Sequence, residues 1–207
     1  TLRERGHFDE SVKEFRKALQ FDPKDEKPPY NLGVALEKQG KVDEAIGYYL
    51  KALELKPDFV DAHNNLGIAL GRQGNYKEAI SHHKEALRID PNYARAHISL
   101  GAALEKQRNL DDAIQHYRKA LQLQPDYAKA YYNLAGALAR QGNFDKAVHN
   151  YYEALRINPQ YSQAHYNLGV VLLRQGKTRE AAFHFAETLR IDPSDIRARR
   201  ALQLLSR

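Results

Sequence analysis

The chain has 207 residues, 43% of them hydrophobic and 28% charged, with a formal net charge of +6. That balance suits a soluble, folded chain and excludes a disordered one. Cys is absent, which excludes disulfides, a thiol nucleophile and thiolate metal sites. No apolar run approaches a membrane span and no leader pattern opens the chain. With no Asn-x-Ser/Thr acceptor either, a cytoplasmic location is favoured. Met is also absent and the chain opens on Thr1, inside what should be a first helix. The sequence therefore reads as a portion of a longer chain.

Taken in order, the elements repeat. Pro23, Pro57, Pro91, Pro125, Pro159 and Pro193 stand 34 residues apart. Residues 62–70 recur with close copies at 96–104, 130–138 and 164–172, and with a variant at 28–36. A fixed period of this length marks a stack of supersecondary units whose core lies between neighbours. Residues 60–93 show the grammar. His63, Leu66, Gly67 and Leu70 share one face of a first helix, and Gln73-Gly74-Asn75 breaks it. Ala79, Ile80, His83, Ala86 and Leu87 line a second helix that ends at Asp90-Pro91.

The turn glycine recurs as Gly6, Gly40, Gly74, Gly142 and Gly176. Arg108 interrupts that column, and Asn109 is expected to help the turn there, because Asn tolerates the left-handed region. Small residues mark close helix approach: Gly33, Gly67, Gly101, Ala135 and Gly169 in the first helices, and Ala45, Ala79, Ala113, Ala147 and Ala181 in the second. Acidic pairs such as Asp9-Glu10, Asp43-Glu44 and Asp111-Asp112 open second helices, where they complement the helix dipole. Pro29 predicts a late or distorted start for the first helix of the 26–59 unit.

The spacing aromatic-x-x-Leu-Gly, then Ala-x-x-x-aromatic, then Ala and Pro resembles the tetratricopeptide repeat along the whole chain. The resemblance implies an all-α, right-handed superhelical solenoid of antiparallel helix pairs. It divides the chain into 1–25 (a second helix of an earlier unit), repeats 26–59, 60–93, 94–127, 128–161 and 162–195, and a C-terminal capping helix at 196–207, where Arg199 and Gln203 replace the aromatic and the Gly.

No catalytic signature is present: there is no phosphate loop, no nucleophile elbow and no paired-carboxylate motif. Histidines pair 19 residues apart as His63/His82, His97/His116 and His165/His184. Each pair can join the two helices of one unit, and two imidazoles fall short of a zinc site. No metal or other cofactor is indicated.

In the resembled family the first helices line a concave groove that holds an extended peptide. Projected onto this sequence, the peptide-binding residues are Tyr30, Asn31, Asn64, Asn65, Ile68, Ile98, Ser99, Tyr132, Asn133, Tyr166, Asn167 and Val170. An Asn offers two donors and an acceptor, enough to hold both groups of a peptide backbone. The column Asn31, Asn65, Ser99, Asn133 and Asn167 resembles the asparagine ladder in the repeat arm of the O-linked N-acetylglucosamine transferases. In the family such asparagines can equally support bonds between helices. The excess positive charge lies in residues 128–207, with 12 Lys+Arg against 6 Asp+Glu. Lys129, Arg140, Arg174, Arg197 and Arg200 are the candidates for an acidic partner, since Arg holds carboxylates by bidentate pairs. They carry no nucleic-acid motif, so nucleic acid is not indicated as a partner.

The sequence thus reads as a non-enzymatic scaffold that binds a protein or peptide segment. Two alternatives stay open. One is the substrate-recognition arm of a larger enzyme such as a glycosyltransferase. The other is a structural protomer joined head-to-tail through its terminal helices.

Overall fold

The computed structural model describes residues 2–205, with side chains from Phe8 onward. Among the described residues there are twelve α-helices: α1 Leu2–Phe21, α2 Lys27–Lys38, α3 Val42–Leu55, α4 Val60–Arg72, α5 Tyr76–Ile89, α6 Ala94–Lys106, α7 Leu110–Leu123, α8 Ala128–Arg140, α9 Phe144–Ile157, α10 Ser162–Arg174, α11 Thr178–Ile191 and α12 Ile196–Leu205. They form two compact units, one ending at Gln107 and the other starting at Arg108. Thr1, placed in a first helix by the sequence pattern, lies outside the described residues, as do positions 206 and 207.

Within each unit every helix packs on the next in the chain. First helices also meet the first helix of the following repeat, α2 with α4, α4 with α6, and α8 with α10. The buried core of the first unit includes Leu32, Leu36, Ala45, Tyr49, Leu66, Leu70 and Ala79. In the second unit Leu134, Leu138, Ala147, Tyr151, Leu168, Leu172, Ala181 and Phe185 are buried.

At Gly33, Gly67 and Gly169 an aromatic ring from the second helix lies against the backbone of the first. A Cβ on Gly33 would stand 2.5 Å from the Tyr49 ring, and one on Gly169 would stand 2.7 Å from Phe185. At Gly67 the ring is His83, at 2.6 Å. His83 is 2% exposed and its Nδ1 has no partner.

Three features depart from the sequence reading or sharpen it. First, α1 runs unbroken through Gly6, so no turn forms there. A lone Gly costs a helix only about 1 kcal/mol relative to Ala, which continued hydrogen bonding outweighs. Second, α2 starts with Pro at its first positions and is one residue shorter than α4. The late start expected from Pro29 is therefore a single residue. Third, the residue in the left-handed region after α6 is Arg108 itself, with φ of 64°. Asn109 instead caps α7, its side chain accepting from the Asp112 amide. The register fixes position 108 as the left-handed one, as it does Gly40, Gly74, Gly142 and Gly176. Whatever residue stands there must take that conformation, at about 1 kcal/mol for an L side chain.

The sequence reading missed a second set of contacts that joins consecutive repeats. Gln39 donates to Asp9 at 2.8 Å, Gln141 to Asp111 at 2.6 Å and Gln175 to Asp145 at 2.7 Å, and Gln73 donates to Asp43. Gln73, Gln141 and Gln175 tie the end of a first helix to the opening turn of the second helix before it, and Gln39 ties the end of α2 to the interior of α1. The signal was available as a Gln column with a carboxylate 30 residues upstream, interrupted only by Lys77.

Two outcomes follow from this packing. Arg108→Gly should raise stability by about 1 kcal/mol, read as a rise of roughly 2–4 °C in the thermal midpoint; no change would mean that the turn carries no strain. Burial, reinforced by the neighbouring His82, pushes the His83 pKa down to about 4. The folded chain then binds fewer protons there than the unfolded chain. Stability from this site is complete above pH 6.5 and is lost as pH falls toward 4, by on the order of 3 kcal/mol. His83→Phe, which keeps a ring against Gly67, should flatten that loss in denaturant titrations between pH 6.5 and 4.

Candidate binding faces on the first helices

In the first unit the face is built on α2, α4 and α6. The Tyr30 ring is half-buried, 4.8 Å from Phe59 and 6.0 Å from Tyr49. Its hydroxyl accepts from the Asn65 amide at 3.1 Å. Asn31, Ser99 and Ile68 are half-buried. Asn64 is fully buried and Ile98 is 3% exposed, so neither offers a surface to a partner. Both stand in the tyrosine column, and their side chains are too short to reach out of the helix layer. Asn64 spends its amide on Asn65 at 3.5 Å, while its Oδ1 has no partner.

The second unit repeats the arrangement on α8 and α10. Tyr132 lies 4.8 Å from Tyr161 and 5.9 Å from Tyr151, and its hydroxyl accepts from the Asn167 amide at 3.0 Å. Asn133 and Val170 are half-buried. Tyr166, also half-buried, lies under the Arg197 guanidinium at 4.4 Å and beside Phe185 at 5.6 Å.

The amide column is thus divided. Asn65 and Asn167 are committed to tyrosine hydroxyls on the preceding first helix, 35 residues back. Asn31 and Asn133 make no side-chain hydrogen bond among the described residues and keep their amides for another partner.

The basic residues separate as well. Arg140 and Arg174 line one cavity of about 260 Å³, together with Gly136, Ala139, Phe144, Tyr151, Asn167, Val170 and Val171. Arg197 is held by Asp195, with Nη2 donating to Oδ2 at 2.7 Å. That guanidinium, with the backbone amides of Ala198 and Arg197, holds the Asp195 carboxyl below its usual range. Arg197 thus already meets a carboxylate of its own chain, two residues away. Lys129 and Arg200 are exposed and line neither the cavity nor the Tyr166 contact.

In the first unit the residues matching the cavity wall hold an internal carboxylate. The Tyr49 hydroxyl donates to Glu37 Oε2 at 2.8 Å, and Arg72 donates to Glu37 Oε1. Burial, followed by that bond to Glu37, raises the Tyr49 pKa far above its ordinary value.

The histidines serve packing. His63 Nε2 faces the Pro57 carbonyl at 2.9 Å, and His63 Nδ1 faces His82 Nδ1 at 3.1 Å. A carbonyl only accepts, so Nε2 carries the His63 proton and His82 donates to Nδ1. His165 repeats this with the Pro159 carbonyl at 3.2 Å and His184 Nδ1 at 3.0 Å. His184 Nε2 in turn accepts from the Tyr152 hydroxyl at 3.3 Å. Each bridge joins the two helices of one repeat. Burial, then the facing His165, pushes His184 down to about 4.

Comparison with known proteins agrees with the helix-pair architecture. Segments 58–126, 92–160 and 126–194 match the tetratricopeptide repeat family model, and segments 1–40 and 38–74 match a model described as TPR repeat. No curated protein matches the chain. Among solved structures, YrrB, described as a TPR protein with an unusual peptide-binding site, is 25% identical with a TM-score of 0.68, covering 91% of this chain and 97% of its own. MamA is 28% identical with a TM-score of 0.68, covering 78% of this chain and 95% of its own. PilF of Pseudomonas aeruginosa, at 23% identity and a TM-score of 0.81, covers 95% of this chain and 90% of its own, and shows the fold alone. Among the described residues no helix is long and apolar enough to cross a membrane. The chain belongs to the tetratricopeptide repeat family, whose members serve generally as protein-interaction scaffolds.

Proposed function

We propose that the chain is a non-enzymatic scaffold that holds a peptide segment on its first-helix faces. One observation carries the reading: Asn31 and Asn133 have unspent amides, and each follows a half-buried tyrosine, Tyr30 and Tyr132, on its first helix. An amide next to an aromatic ring gives a peptide main chain a donor and acceptor together with an apolar contact. The likeness to YrrB, with its peptide-binding site, supports the same use. A full asparagine ladder of the glycosyltransferase kind finds less support, because Asn65 and Asn167 already donate to tyrosines.

The test is a peptide array probed with the full chain, followed by fluorescence anisotropy on a peptide that binds. The Asn31→Ala/Asn133→Ala double variant should bind about tenfold more weakly, as expected for the loss of two or more hydrogen bonds. Its helical content should not change, since neither amide is used within the described chain. Unchanged affinity with an intact fold would overturn the assignment of these amides.

A further inference from the structure

The repeats provide an internal template for the cavity in the second unit. Positions 102 residues apart are equivalent, so Tyr49 matches Tyr151, Asn65 matches Asn167 and Arg72 matches Arg174. In the first unit these residues close around Glu37, whose side chain is 14% exposed. Tyr49 donates to one carboxylate oxygen at 2.8 Å and Arg72 to the other. The residue equivalent to Glu37 is Ala139. The donors are retained and the carboxylate is gone, which leaves the 260 Å³ cavity between α8, α9 and α10.

The donors are placed to act. Tyr151 is 2% exposed and lines the cavity. Asn167, whose amide donates to the Tyr132 hydroxyl, lines the same wall. Arg174 forms no ion pair among the described residues; its contact is with the Phe144 ring, 5.9 Å from the guanidinium carbon. Arg140 lines the same cavity. A guanidinium and a phenol converging on a space of this size are complementary to a carboxylate.

We propose that the cavity walled by Ala139, Tyr151 and Arg174 receives a glutamate side chain of a bound protein segment, in the place that Glu37 fills internally three repeats earlier. This rests on the peptide-scaffold reading and adds the chemistry of the partner. Tyr151 and the Arg174 guanidinium each take one carboxylate oxygen. Phe144 and Val170 contact the methylenes.

The experiment has two parts on the full chain. NMR titrations would use N-acetyl-glutamate amide, N-acetyl-glutamine amide and N-acetyl-glycine as probes. The glutamate probe should shift α8 and α10 amides saturably, while the glutamine probe should bind at least tenfold more weakly. Arg174→Gln should cause the same loss. Ala139→Glu should abolish the shifts and, by restoring the internal carboxylate, raise the thermal midpoint by roughly 2–4 °C. That rise should vanish in the Arg174→Gln background. Equal shifts from the glutamine probe, preference for the terminal carboxylate of N-acetyl-glycine, or a lowered midpoint in Ala139→Glu would each overturn the proposal. Array peptides that still bind the Ala139→Glu chain would leave the scaffold reading standing and remove only this pocket.

Discussion

The structure depends on one close approach, repeated in three of the helix pairs. A ring on the second helix lies directly against the backbone of the first, with Tyr49 at Gly33, His83 at Gly67 and Phe185 at Gly169. That contact sets how far apart the two helices sit and which way each is turned. Adding a methyl group would force the pair apart, at about 1–3 kcal/mol for overpacking. With the pair fixed, the 34-residue period carries every other contact into register. Bonds 30 residues apart tie Gln39 to Asp9 and Gln175 to Asp145. Bonds 35 residues apart tie Asn65 to Tyr30, Asn167 to Tyr132 and Arg72 to Glu37.

Polar groups inside this frame are mostly satisfied by one another. In the His63–His82 and His165–His184 bridges, the first-helix ring gives its Nε2 hydrogen to a carbonyl and meets the second ring through Nδ1. Burial, then the charge of the facing His63 or His165, pushes the His82 and His184 pKa values down. His83 is one exception, with a buried nitrogen that nothing meets. It occupies a slot that Tyr49 and Phe185 fill with a phenol or a plain ring in their own repeats.

Much of this was legible in the sequence, because it follows from spacing alone. The proline period, the small-residue columns and the left-handed glycines place the helix pairs, and the 19-residue histidine spacing anticipates the bridges seen at His63–His82 and His165–His184. The remainder depends on side-chain reach, which a column does not record. Asn64 and Ile98 stand in the tyrosine column yet are too short to leave the core. Arg197 stands among the basic candidates yet is held by Asp195 two residues away. Arg108 takes the glycine conformation because register outranks preference there. Gly6 stays helical because one glycine is too weak a signal to end a helix. The 30- and 35-residue bonds were also present as columns, but only the structure shows that those positions touch.

The same slots serve two ends. Where the chain supplies both partners, as with Glu37, Tyr49 and Arg72, the slot joins repeats. Where it supplies only the donors, as with Tyr151 and Arg174, the slot is left for something else. The most direct measurement is a crystal structure of the full chain grown with a saturating glutamate-containing peptide taken from the array. The account expects a carboxylate in the electron density, with one oxygen on the Tyr151 hydroxyl and the other on the Arg174 guanidinium, in the geometry of Glu37. A peptide bound elsewhere, with that cavity holding only water, would contradict it.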